Sequence, residues 1–139
     1  MIRKRPISTI MTHQVIFLNR EDSLKKASEL FKQNHIRHIP VVSGNILLGI
    51  LSYSDLIRID FDDSLNQKSE AVKMGLSDLL TIDEVMTENI MSINASNTIK
   101  EVAKIFIEKK FHALPVVDNN QLIGIVTTTD LINYMLKPF

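Results

Sequence analysis

Shifted by 75 positions, the chain aligns with itself: Met11 to Ile57 lies on Met86 to Ile132 without a gap, and about 15 of the 47 pairs are identical. Met11-Thr12 meets Met86-Thr87, Phe31 meets Phe106, and Pro40-Val41-Val42 meets Pro115-Val116-Val117. Gly49-Ile50 and Asp55-Leu56-Ile57 meet Gly124-Ile125 and Asp130-Leu131-Ile132. A unit of roughly 50 residues therefore occurs twice, and the small sheet of so short a unit needs a second copy to cover it. The two copies are expected to stabilise one another.

Each copy carries the same succession of patterns. Val15-Ile16-Phe17 and Ile90-Met91-Ser92-Ile93 are short apolar runs of strand type. A helix follows. In the second copy Thr98 and Glu101 have capping-box spacing, and Ile99, Val102, Ala103, Ile105 and Phe106 make a helical stripe. The first copy places Leu24, Ala27, Leu30 and Phe31 at matching positions. Ile39 to Val42 and Leu114 to Val117 are strand-type runs. Ser43-Gly44-Asn45 and Asp118-Asn119-Asn120 offer turn residues before Ile46–Leu51 and Leu122–Val126. A last helix starts at Ser52 or Thr127. The unit reads strand, helix, strand, strand, helix, a mixed α/β (α+β) pattern of two βαββα repeats.

Residues 7–60 are read as the first repeat, 61–81 as a helical insertion, and 82–139 as the second repeat. The segment from Arg58 to Thr81 is rich in Asp, Ser and Asn but also carries Leu65, Val72, Met74, Leu76 and Leu79. It is read as a continuation of the preceding helix, a polar break near Phe61 to Ser64, and a further helix ending near Gly75. Thr81 and Glu84 repeat the capping-box spacing ahead of Val85-Met86.

Composition removes several classes of function. Sixteen basic residues balance sixteen acidic ones, so there is no global field for a nucleic acid or an anionic membrane surface. Nor does any apolar run approach the roughly 20 residues needed to span a bilayer, and the basic start Met1 to Pro6 leads into no signal core; a cytoplasmic protein is expected. The chain has no cysteine and no tryptophan, which excludes disulfides and thiolate metal sites and disfavours base-stacking platforms.

The most informative local pattern is Ser52-Tyr53-Ser54-Asp55, echoed by Thr127-Thr128-Thr129-Asp130. In both, a strand ends on a hydroxyl residue and a carboxylate follows three places later at a helix start. Such a pair can simply cap the helix. The same parts can hold a nucleotide: the hydroxyl and helix-start amides take a phosphate, while a carboxylate accepts both hydroxyls of a ribose.

The order Met-Thr, strand, helix, Pro-Val-Val, polar turn, then Gly-x-h-Ser/Thr-x-x-Asp-Leu (h apolar), present twice, resembles the tandem cystathionine-β-synthase (CBS) pair, or Bateman module. The resemblance implies two repeats packed about a pseudo-two-fold axis with clefts for AMP, ADP, ATP, S-adenosylmethionine or a related adenosyl ligand. It implies that Asp55 and Asp130 hold ribose hydroxyls, and that Ser52 and Thr127 contact phosphate or ribose. Arg37, His38, Ile39 and Pro40, and likewise His112, Ala113, Leu114 and Pro115, would line the base and phosphates together with Thr12, Val15, Ile16, Thr87, Ile90 and Met91. It further implies that the acid and hydroxyl of one repeat face the pre-proline segment of the other. Asp130 and Thr127 would then meet Arg37 and His38, and Asp55 and Ser52 would meet His112 and Ala113. Because an Arg fork suits phosphate, the Asp130 ligand is expected to bind more tightly.

Other chemistries find less support. The histidines at 13, 35, 38 and 112 show no ligand spacing for a metal, so no metal is expected. Arg37 can equally offset a helix C-terminus. The Arg3-Lys4-Arg5 run reads as a solvated tail, and Met11, Met86 and Met91 as gap-filling apolar side chains. No nucleophile has a base and an orienting acid placed beside it, and four glycines in all leave no P-loop or dinucleotide fingerprint. The expectation is a non-enzymatic regulatory module with no prosthetic group, an adenine nucleotide as regulatory ligand, and an unidentified partner protein. The alternative is a ligand-free scaffold or dimerisation unit. Apolar positions Ile57, Ile59, Leu131, Ile132, Tyr134, Met135 and Leu136 point to a homodimer packed through the terminal helices.

Overall fold

The computed structural model describes residues 4–58, 80–88 and 90–137. The expected insertion helix ending near Gly75 and the polar break near Phe61 lie outside these residues. The chain forms two mixed α/β units: one comprises Ile16–Ile90, the other joins Met1–Val15 to Met91–Phe139.

In the Ile16–Ile90 unit, β1 (Leu18–Asn19) runs parallel to β2 (His38–Ser43), with Leu18 opposite Val41. β2 is antiparallel to β3 (Ile46–Ser52) with a bulge at Val41/Val42, and β3 pairs antiparallel with β4 (Thr87–Glu88). The β2–β3 hairpin turns at Gly44, whose φ of +62° suits a residue without Cβ. Helix α1 (Leu24–Asn34) is capped by Ser23, whose Oγ accepts from Lys26 N–H, and it ends at His35 in the left-handed region. Leu24, Ala27 and Phe31 recur on one face and are the residues it buries. Residues 53–58 form α2, and α3 (Ile82–Val85) starts from a complete Thr81–Glu84 capping box.

The split unit repeats this plan. Its β5 (Ile93–Asn94) runs parallel to β6 (Ala113–Asp118), which is antiparallel to β7 (Gln121–Thr127) with a bulge at Val116/Val117. Asn119 and Asn120 both take positive φ, at 52° and 67°, as a two-residue hairpin turn of this kind requires. Helix α4 (Ile99–Lys109) has the expected Thr98–Glu101 capping box and buries Ile99, Val102 and Phe106. The Thr98 backbone N–H, and next its hydroxyl, hold the Glu101 carboxyl below the usual glutamate value. Helix α5 (Thr128–Leu136) follows β7. Among the described residues no helix is long and apolar enough to cross a membrane.

Two expectations are corrected. The run at 15–17 is not a strand at any residue, and of the run at 90–93 only Ile93 is: the residues that pair are Leu18–Asn19 and Ile93–Asn94, because parallel ladders form only where the backbone meets β2 or β6. Leu18 and Ile93 enter the cores, whereas Phe17 and Met91 are exposed.

The lead-in segments pack in an order the repeat does not announce. A 3-10 turn at Ile7–Thr9 precedes the first repeat's strands, yet Ile7 and Met11 belong to the core of Ile93, Ile99, Val102, Phe106, Leu114, Val116 and Val126. Ile7 N–H donates to Asn97 O at 2.7 Å, and Thr12 bridges Ile125 in both directions. Conversely Ile82, just ahead of the second repeat's motifs, packs with Leu18, Leu24, Ala27, Phe31, Ile39, Val41, Leu51 and Leu56. Arg20 reinforces this second placement with a 2.6 Å bond to Asp83.

Candidate functional site

In the Ile16–Ile90 unit the antiparallel register puts Ser52, the last residue of β3, opposite His38, the first of β2. Tyr53 N–H donates to Arg37 O at 2.8 Å, which fastens the start of α2 to the pre-proline segment. Ser52 Oγ accepts from Asp55 N–H at 3.1 Å and lies 3.1 Å from Ser54 Oγ. The Asp55 carboxylate takes a 2.8 Å bond from Arg58 Nη2. Ile39 and Pro40 are fully buried beneath this edge, while Ser52, Asp55 and His38 are half-buried and Arg37 is exposed. Thr87 sits on β4 opposite Ile50, two residues before Ser52; Ile16 and Ile90 are half-buried in the same unit.

The split unit has the matching arrangement. Thr127 ends β7 opposite Ala113, and Thr128 N–H donates to His112 O at 3.0 Å. Here the cap is complete: Thr127 N–H donates to Asp130 Oδ2 at 2.9 Å, and Asp130 N–H donates to Thr127 Oγ1 at 3.1 Å. Leu114 and Pro115 are buried, His112 and Met91 are exposed, and Val15 is half-buried. Thr12 bridges Ile125, two residues before Thr127, as Thr87 meets Ile50 in the other unit.

Each unit thus brings together a strand-end hydroxyl, the carboxylate three residues on, a pre-proline segment, and a lead-in threonine. The capping role is real in both, yet a carboxylate offers about four lone-pair positions, so the cap does not exhaust Asp130. The sequence signals found these groups; they did not find the lead-in exchange, which has no local signature, nor Arg58, whose three-residue spacing from Asp55 on a helix was the available clue.

Glycine explains how the lead-ins come so close. A Cβ on Gly49 would stand 2.5 Å from Thr87 O, and one on Gly124 would stand 2.5 Å from Met11 Sδ.

A strand–helix–hairpin–helix unit present twice, with a hydroxyl and an aspartate at each final helix start, defines a tandem-repeat mixed α/β fold. The profile of the CBS domain matches residues 7–62 and again 82–137, and the chain belongs to that family. It is 28% identical over 125 residues to the CBS domain-containing protein YhcV of Bacillus subtilis, covering 90% of this chain and 81% of YhcV. Protein MJ1225 of Methanocaldococcus jannaschii is 28% identical over 129 residues. The chain spans about half the length of MJ1225 (46%), whose crystal structure superposes with a TM-score of 0.83 at 25% identity over 96% of this chain and 48% of that one. A crystal structure of CBSX2 in complex with AMP superposes with a TM-score of 0.78 at 25% identity, covering 95% of this chain and 96% of that one.

Proposed function

We propose that this CBS pair is a regulatory module that binds an adenine nucleotide through Asp130 and Thr127 and through Asp55 and Ser52, and relays the binding to a partner protein without itself catalysing a reaction. The observation that carries the reading is the twofold occurrence of a half-buried aspartate and strand-end hydroxyl at a helix start. The AMP complex of CBSX2, at comparable length and 25% identity, supports the ligand class. Chemically, the carboxylate accepts the ribose hydroxyls while the hydroxyl and helix-start amides meet the phosphate.

A thermal-shift panel of AMP, ADP, ATP, S-adenosylmethionine and NAD tests this directly. A ligand at 100 times its dissociation constant stabilises the fold by about 2.7 kcal/mol. No shift with any of them leaves the scaffold reading, in which Thr127 and Asp130 serve only as a cap. Calorimetry then assigns the binding events. On the crossed pairing implied by the family, Asp130→Ala and Arg37→Ala each weaken the tighter event, since Arg–phosphate contacts are the stronger kind. Asp55→Ala affects a weaker event. Loss of the tight event in Asp55→Ala, with Arg37→Ala unaltered, would reverse the assignment.

The module is further proposed to act as a symmetric homodimer. Of the face expected to be apolar, Leu131 and Tyr134 pack inward, whereas Ile132, Met135 and Leu136 are 56%, 76% and 76% exposed and Ile57 is 43% exposed; Ile59 lies outside the described residues. Contiguous exposed apolar side chains on α5 favour an isologous contact. Sedimentation at micromolar concentration is expected to give twice the chain mass of 15.8 kDa, and Met135→Glu is expected to shift it toward monomer. A wild-type monomer sinks this part of the proposal.

A further inference from the structure

The two aspartates of the repeated motif differ in their surroundings. Asp130 turns Oδ2 onto the Thr127 backbone N–H at 2.9 Å. Asp55 is instead held by an ion pair, its Oδ1 accepting from Arg58 Nη2 at 2.8 Å. The asymmetry is written in the repeat: Arg58 stands three residues after Asp55, whereas the residue three after Asp130 is Asn133. The Asp55 side chain is only 19% exposed and Arg58 is 71% exposed, so the cation lies on the solvent side of a partly enclosed carboxylate.

We propose that Arg58 is a specificity-determining residue of the first repeat's site, a built-in competitor that holds Asp55 Oδ1 and contends with a ribose hydroxyl for that oxygen. The inference rests on the reading of Asp55 as a ribose acceptor. A carboxylate already bonded to a guanidinium loses an acceptor position and part of its charge to the pair. An added ribose hydroxyl, a neutral donor, is a weaker partner than the cation it replaces. A neutral nucleoside therefore meets a handicap at Asp55 that Asn133 does not impose at Asp130. A phosphorylated nucleotide can recover part of the loss if the released guanidinium turns to the phosphate, so the first site is biased toward charged adenine ligands over adenosine.

The experiment uses adenosine as the probe, because it carries no phosphate for Arg58 to attract. In an Asp130→Ala background, calorimetry is run with Arg58 retained and with Arg58→Asn, a substitution the matching helix already accommodates at Asn133. Exposed ion pairs of this kind correspond to roughly two- to five-fold in affinity, so Arg58→Asn is expected to tighten adenosine binding by about that factor. Raising ionic strength is expected to tighten it in the Arg58 protein and to leave Arg58→Asn unchanged, since screening weakens only the pair. The reciprocal Asn133→Arg is expected to weaken adenosine at Asp130 by a similar factor in an Asp55→Ala background. Unchanged or weaker adenosine binding in Arg58→Asn overturns the inference, as does binding too weak to measure in both proteins. If adding Asp55→Ala to the Asp130→Ala background leaves adenosine binding intact, the ribose reading of Asp55 itself has failed; if that change abolishes binding while Arg58→Asn changes nothing, only the role of Arg58 has failed.

Discussion

Ile82→Ala is expected to lower the unfolding free energy by about 2–5 kcal/mol, the range for truncating a buried isoleucine in a core that relaxes incompletely. Ile82 is fully buried although it belongs to a four-residue helix. A helix that short has little stability of its own, so it is held by what it packs against: Leu18, Leu24, Ala27, Phe31, Ile39, Val41, Leu51 and Leu56, the core of the Ile16–Ile90 unit. The loss therefore falls on the unit that carries the first repeat's motif, even though residue 82 lies at the start of the second repeat. Urea unfolding followed by circular dichroism suits a chain without tryptophan. Ile107→Ala is the control, since Ile107 is 77% exposed and surface changes of this kind stay within about 0.5 kcal/mol. An Ile82→Ala effect no larger than the control contradicts the packing argument.

The second large effect separates two glycines at equivalent places in the repeat. A methyl group on Gly49 meets the Thr87 carbonyl oxygen at 2.5 Å and Met86 Sδ at 3.0 Å, whereas one on Gly124 meets only the Sδ, Cε and Cγ atoms of Met11 within its three nearest contacts. Backbone can move away only by giving up the β3–β4 pairing of Ile50 with Thr87, while a methionine can change rotamer. Overpacking costs typically 1–3 kcal/mol. Gly49→Ala is expected at about 3 kcal/mol or above, and Gly124→Ala at about 1 kcal/mol. Hydrogen exchange is expected to accelerate at the β3–β4 pairing in Gly49→Ala alone. Equal losses in the two variants, with exchange unaltered, would show that β4 yields as easily as a methionine side chain.

These two expectations depend on features that differ in how far the amino-acid order discloses them. The three capping boxes at Thr81–Glu84, Thr98–Glu101 and Thr127–Asp130 were legible because donor and acceptor lie three residues apart on one helical turn. The Asn119-Asn120 turn was legible because few residues tolerate positive φ twice in succession. The strands at 38–43 and 113–118 were marked by β-branched runs ending at turn residues. The first strands were overread. Val15 to Phe17 and Ile90 to Ile93 are apolar, but apolar character speaks of burial, and pairing depends on whether another strand's edge is at hand.

The candidate site divides along the same line. Ser52 with Asp55 and Thr127 with Asp130 could be named from spacing, because the repeat doubles one pattern and the chemistry of hydroxyl and carboxylate is the same wherever the chain carries them. The backbone bonds from Tyr53 to Arg37 and from Thr128 to His112 followed only from the register of β2 on β3 and of β6 on β7. By itself, the order of residues determined two copies of a mixed α/β unit, their caps, their hairpin turns and their paired polar groups, all consequences of interactions within a few positions of one another. Tertiary structure alone decided that Ile7 and Met11 complete the core of the second repeat's strands while Ile82 completes that of the first. The physical reason is that apolar burial is non-directional: an isoleucine carries no mark of which core will receive it, and the choice is made by the shape and close packing of side chains distant in sequence.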